Sequence, residues 1–207
     1  MNKIFITTIF IFLATFAFGQ TKYDKTYRYG THQKDWAMVM VNGKFGFINR
    51  EKKEVVKPQY DKIYPYGTIL KEWAMVCISD KYGFIDMYGN EIVKTQYSKI
   101  YPYGAIHKDW AMVCQDGKFG FIDRYGKIVL IPTYDKIYPY GSNQCEWALV
   151  ILNGKYGYID RYGKEVVKPI YDKIYPFGGI KKNYAMVIQD GRKAFINQEG
   201  KEVTISK

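Results

Sequence analysis

The chain has 207 residues, 31 Lys and Arg against 20 Asp and Glu for a formal net charge of +11, and 21 tyrosines within an aromatic fraction of 18%. That length is enough for one domain with a real core. The only two histidines, His32 and His107, argue against a His-built metal centre or a nucleophile activated by a His partner.

The first stretch reads as a leader. Lys3 is followed by an uncharged apolar run from Ile4 to Phe18, then by small residues at Ala17 and Gly19 that suit a cut before Gln20. The run is shorter than the ~20 residues of a spanning helix and lacks a basic stop-transfer flank. No cysteine follows it, so a lipoprotein anchor is not indicated. The sequence therefore divides into a signal peptide over residues 1–19 and a single repeat domain over 20–207, exported to the periplasm, the cell surface or the medium. Loss of Lys3 leaves the mature chain at +10. Such a balance favours association with anionic surfaces, but the lysines are scattered and serve solubility equally well. Nucleic acid is not expected as a partner of an exported protein.

From Tyr23 onward the chain repeats every 37 residues. Trp36, Trp73, Trp110, Trp147 and Tyr184 keep that spacing, as do Tyr23, Tyr60, Tyr97, Tyr134 and Tyr171, which defines units 23–59, 60–96, 97–133, 134–170 and 171–207. A fixed period of this size without insertions is the signature of a repeat architecture.

Within the first unit, apolar residues alternate around Asn42-Gly43, the strongest short-range hairpin signal. With those two residues as the turn, Val41 pairs with Lys44, Met40 with Phe45, Val39 with Gly46, Met38 with Phe47 and Ala37 with Ile48. One face then carries Trp36, Met38, Met40, Phe45 and Phe47 and the other Ala37, Val39, Gly46 and Ile48, so a bulky face of one unit nests on a small face of the next. The second copy, with Ser79-Asp80 in the turn, supports it less well. IDRYGK strings place Asp123 and Asp160 before a turn closed by glycine, and a short strand follows that Pro58 or Pro169 is expected to stop.

KIYPYG, at Lys62, Lys99 and Lys136 and nearly so at Lys173, reads as a strand ending in a rigid turn, its tyrosine hydroxyls at the rim. Cys77 and Cys114 sit where other copies have Met40, Ile151 and Ile188, which marks them as core thiols. Cys145 stands where the other copies have Lys34, Lys71, Lys108 and Lys182 and is expected to be exposed. The end copies are the irregular ones: Arg28 and the string NREKKE in the first, Tyr184 and Ala194 in the last. They read as caps.

The Trp, the glycine ten residues on and the aromatic-Gly-aromatic-Ile-Asp string, as in WAMVCQDGKFGFIDRYGK from Trp110 to Lys127, resemble the bacterial WG repeat family. The resemblance covers all five units and implies a tandem β-repeat protein, often exported, with no catalytic or ligand residues to carry over. The expected fold is all-β: five tandem 37-residue hairpin-based repeats in an open curved or superhelical array, with a closed five-bladed β-propeller as the alternative.

No catalytic residue, metal or cofactor is called for. Asp86, Asp123 and Asp160 recur before each turn, and Asp35, Glu72, Asp109 and Glu146 before each Trp, which suits turn formers and lysine partners better than a glycosidase pair. The expected function is non-catalytic binding or scaffolding in the cell envelope, with an unknown protein or an envelope glycan as partner. For a glycan, repeated aromatic platforms would come from Tyr64, Tyr66, Tyr101, Tyr103, Tyr138, Tyr140, Tyr175 and Phe177.

Overall fold

A computed structural model describes residues 22–143 and 146–203. The expected leader over residues 1–19 and Cys145 therefore lie outside the described residues. Five four-stranded antiparallel sheets follow one another along the chain. The first contains β1 (Lys25–Thr26), β2 (Trp36–Val41), β3 (Lys44–Asn49) and β4 (Glu54–Tyr60), hydrogen-bonded in that order. The second repeats it with β5 (Lys62–Ile63), β6 (Trp73–Ile78), β7 (Lys81–Asp86) and β8 (Glu91–Tyr97). The third has β9 (Lys99–Ile100), β10 (Trp110–Gln115), β11 (Lys118–Asp123) and β12 (Ile128–Tyr134). The fourth has β13 (Lys136–Ile137), β14 (Ala148–Leu152), β15 (Lys155–Ile159) and β16 (Glu165–Tyr171). The fifth has β17 (Lys173–Ile174), β18 (Ala185–Gln189), β19 (Arg192–Ile196) and a short β20 (Glu202–Val203).

The hairpin register is the one the turn dictates. Asn42 and Gly43 both take positive φ, +50° and +75°, and β2 pairs with β3 from Val41↔Lys44 to Trp36↔Asn49. Two left-handed residues match the twist of the flanking strands. Ser79 and Asp80 adopt the same geometry at φ +49° and +58° without a glycine. The Asp61 carboxylate accepts the Ser79 N–H at 2.7 Å, the same bond that Asp24 makes with Asn42 at 2.6 Å in the glycine-bearing turn.

The fourth strand does not stop at Pro58. It runs on to Tyr60, and the pairing shifts from Phe47↔Val56 to Phe45↔Tyr60, which places a bulge opposite Gly46. A bulge is one of the few places where a sheet tolerates proline. Gly46 is what admits it: a Cβ there would lie 2.4 Å from the Val56 carbonyl oxygen and 2.6 Å from the Pro58 nitrogen.

Successive sheets stack bulky face to small face. Phe47, Val56 and Tyr60 of the first sheet pack with Ala74, Val76 and Ile85 of the second, joined by half-buried Trp36 and Met38. The same pairing joins the second sheet to the third, the third to the fourth and the fourth to the fifth. Among the described residues each cluster links neighbours, and none joins the fifth sheet to the first, so the array is open. Full burial of an aromatic such as Phe84 or Phe121 contributes about 2–3 kcal/mol.

A second glycine sets the seam. Gly126 closes its turn at φ +80°, and a Cβ on it would meet Val93 Cγ2 at 2.7 Å and Ile92 Cγ2 at 2.9 Å, side chains of the sheet before. Gly89 and Gly200 make the same close approach. In the first sheet, which has no described sheet ahead of it, Lys52 occupies this position at φ +62°. Its small face, Ala37, Val39 and Ile48, is covered instead by Tyr23 and Tyr29.

Candidate functional site

The tryptophans are packing groups. Trp36, Trp73, Trp110 and Trp147 lie 5.3–5.6 Å, centroid to centroid, from the rings of Phe47, Phe84, Phe121 and Tyr158. His107 stacks on Trp110 at 4.1 Å. His32 meets the edge of Phe47 at 5.4 Å, and burial pushes its pKa below the usual value, so it is neutral at pH 7. Among the described residues no group of three metal-ligating side chains converges.

The YPYG aromatics separate into two sets. The second position of each turns inward: Tyr66, Tyr103, Tyr140 and Phe177 pack between sheets. Their hydroxyls are not at the rim. Tyr66 donates to the Asp86 carbonyl at 2.8 Å, Tyr103 to that of Asp123 at 2.8 Å and Tyr140 to that of Asp160 at 3.0 Å. Burial, and next the neighbouring aspartate, push all three phenols far above the ordinary tyrosine pKa. The first position stays half-exposed. Tyr64 and Tyr101 line hollows of about 320 and 210 Å³ that are equivalents one repeat apart, completed by Met75, Tyr82 and Lys99 in one and Met112, Phe119 and Lys136 in the other. An ammonium covers three of these rings, with Lys99 Nζ 4.4 Å from the Tyr101 centroid, Lys136 4.4 Å from Tyr138 and Lys173 4.5 Å from Tyr175.

The most exposed rings lie elsewhere. Tyr88, Tyr125 and Tyr162, at the same place in three consecutive units, are 72%, 85% and 74% exposed. Each sits in the turn between third and fourth strands, at the Trp end of its hairpin. The preceding aspartate fixes that turn: Asp123 Oδ1 accepts the N–H groups of Tyr125 and Lys127, both at 2.9 Å, and Asp86 and Asp160 act alike. These carboxylates are turn formers. The arginines beside the rings are held by the acids that precede each Trp, Arg124 by Asp109 at 3.3 Å and Arg161 by Glu146 at 2.9 Å. A shallow hollow of about 320 Å³, lined by His107, Tyr140, Gly141, Glu146 and Arg161, borders the fourth unit's turn. The two IDRYGK strings and their variant IDMYGN at Ile85 carry these tyrosines in plain view, at the period of the repeat, but read as turn chemistry alone.

A second series also escapes a reading of single motifs. Asp61 accepts from Lys44 Nζ of the first sheet at 2.5 Å and from the Ser79 N–H of the second, tying one hairpin tip to the next. Asp135 and Asp172 repeat the bridge through Lys118 and Lys155. Hydrogen bonding by the lysine, then by the backbone amide, holds all three carboxyls below their ordinary pKa. Ser98 replaces this aspartate in the third copy, and there Lys81 reaches Asp116 at 3.4 Å instead. The signal was the 37-residue spacing of these aspartates.

Stacked antiparallel sheets joined by complementary faces, with side-chain roles recurring unit by unit, define a tandem β-repeat protein. The chain belongs to the WG containing repeat family, which matches residues 45–82, 82–119, 119–156 and 156–192. Each matched segment starts in a third strand and ends in the next sheet's third strand, so it spans one seam. No curated protein matches the chain. Among solved structures, it is similar to Hsv2 from Kluyveromyces lactis, with 13% identity, a TM-score of 0.31, and coverage of 82% of this chain and 59% of that one. It is also similar to BamB from Moraxella catarrhalis, with 11% identity, a TM-score of 0.32, and coverage of 86% and 62%. The chain thus spans less than two thirds of either, and likeness at this level leaves their functions their own.

Proposed function

We propose that the chain is an exported, non-catalytic binding or scaffold protein of the cell envelope, engaging an envelope glycan or a protein partner through surfaces that recur from unit to unit. The observation that carries this reading is the turn edge, where Tyr88, Tyr125 and Tyr162 stand exposed in equivalent positions. Large rings held in water on fixed turns contribute nothing to the seams, and exposed aromatic groups of this kind suit recognition. Two further features support it. The carboxyls with displaced pKa values, Glu54, Asp61, Asp135 and Asp172, are all pulled down, the opposite of what a general acid needs at neutral pH. The leader over residues 1–19 supports export.

The test is retention of the mature chain, Gln20 to Lys207, on isolated envelope fractions at low and at physiological salt. Retention on a fraction at both salts is expected. Retention on none, or only at low salt, would reduce the interaction to diffuse attraction of a basic protein and sink the reading.

A further inference from the structure

We infer that Tyr88, Tyr125 and Tyr162 form a ladder for a linear, uncharged polysaccharide, a refinement that rests on the binding role proposed above. Three observations point to this chemistry. The first is availability. The YPYG rings are engaged already, the second of each pair packed between sheets, with Phe177 buried and Tyr66, Tyr103 and Tyr140 half-buried and hydrogen-bonded to backbone carbonyls, and three of the first set covered by lysine, whereas the turn tyrosines are 72–85% exposed. A phenol face open to water is the surface on which a pyranose ring stacks.

The second is charge. The protein is basic as a whole, but the ladder is not. Beside Tyr125 and Tyr162 the arginine is already paired, Arg124 with Asp109 and Arg161 with Glu146, and each rung carries the turn carboxylate of Asp123 or Asp160 as well. Around Tyr88, Met87 replaces the arginine and Glu72 and Asp86 leave the rung negative. A polyanion would find no charge complement here, and an uncharged chain suffers no penalty.

The third is repetition with a limit. Stacked sheets lie on the order of 10 Å apart, comparable to the length of a disaccharide. In a β-1,4-linked chain alternate sugars present the same face, so successive tyrosines would meet every second ring. Glu51 and Glu199 occupy the equivalent positions in the end units, which confines the ladder to three rungs. Three weak stacking sites on one rigid array combine by avidity.

The experiment compares retention of the mature protein on amorphous cellulose, β-mannan and chitin, with cross-linked polygalacturonate as the charged comparator. The wild type should be retained on at least one uncharged glycan with little change between low and physiological salt. Tyr125→Ala should weaken retention about three- to tenfold, and the triple Tyr88→Ala, Tyr125→Ala, Tyr162→Ala variant should abolish it. All three side chains are exposed, so the variants keep the wild-type melting temperature, and Tyr101→Ala, which removes a lysine-covered ring, keeps full binding. Three results would overturn the ladder: no retention on any uncharged glycan, preference for polygalacturonate, or a triple variant that binds as well as wild type. In each case retention on envelope fractions would still stand as evidence for the broader binding role, so the two ideas fail separately.

Discussion

The third and fifth sheets carry nearly the same strands, yet their aromatic faces meet different surroundings. Phe121 is 1% exposed because the small face of the fourth sheet covers it, whereas its counterpart Phe195 is only half-buried, with no described sheet beyond. The sequence changes with the surroundings. Lys193 stands where Phe45, Tyr82, Phe119 and Tyr156 stand in the other copies, and Ala194 replaces the glycine that faces the bulge. Ser206 stands where Pro58, Pro132 and Pro169 stand, so the proline of the other bulges is also replaced in this copy. The comparison teaches that the repeat motif is a record of neighbours: a residue recurs where a described next sheet packs on it and lapses in the copy with none described.

Substitutions should read that difference directly. The largest effect is expected from Phe121→Ala, which leaves a cavity in a covered seam and should cost about 3–5 kcal/mol in urea unfolding. Phe195→Ala should cost roughly half as much, and equal losses would break the comparison. Next comes Gly120→Ala, whose Cβ would lie 2.3 Å from the Leu130 carbonyl oxygen. A backbone atom cannot move aside cheaply, so a loss of about 2–3 kcal/mol is expected. The reverse change Ala194→Gly in the fifth sheet should alter the unfolding free energy little, by about 1 kcal/mol or less.

A smaller effect separates the first sheet from the rest. Lys52→Gly should stabilise by up to about 1 kcal/mol, because it relieves a left-handed lysine. Gly126→Ala should destabilise, since its Cβ would meet Val93 and Ile92 at under 3 Å. The gentlest probe is acid. The folded-state pKa of Asp61, Asp135 and Asp172 is lowered, so the stability they contribute is complete above the ordinary aspartate pKa and is lost as pH falls through the folded value. Asp135→Ser, which copies the natural Ser98, should flatten the acid limb of a melting-temperature profile below about pH 4 while changing the midpoint at pH 7 only slightly. An unchanged acid limb would count against the bridges.

The hairpins, their register and the order of faces were legible because each rests on local chemistry: Asn42-Gly43 fixes the turn, and strict alternation then assigns Trp36, Met38 and Phe47 to one face. The passage of β4 through Pro58 was not. A proline normally ends pairing, and only the empty space beside Gly46, set by a strand twelve residues away, turns the stop into a bulge. How the YPYG aromatics pack was not legible. YPYG announces itself by repetition, but Tyr66 and Tyr103 are drawn inward by carbonyl oxygens that a linear string does not reveal. Tyr125, in a turn of ordinary composition, is thrust outward by the Asp123 clamp. Nothing in one residue's identity distinguishes a ring that caps a carbonyl from one that faces water.

The glycine that closes the third-to-fourth-strand turn in every unit after the first has a consequence for how such a protein grows. Gly126 presses on the sheet before it, and the aromatic face of its own sheet receives the sheet after it, so an interior unit carries both halves of the joint. A duplicated interior segment inserted in frame arrives with its fastenings at both ends, whereas a copy of the first unit brings Lys52 where the joint requires glycine.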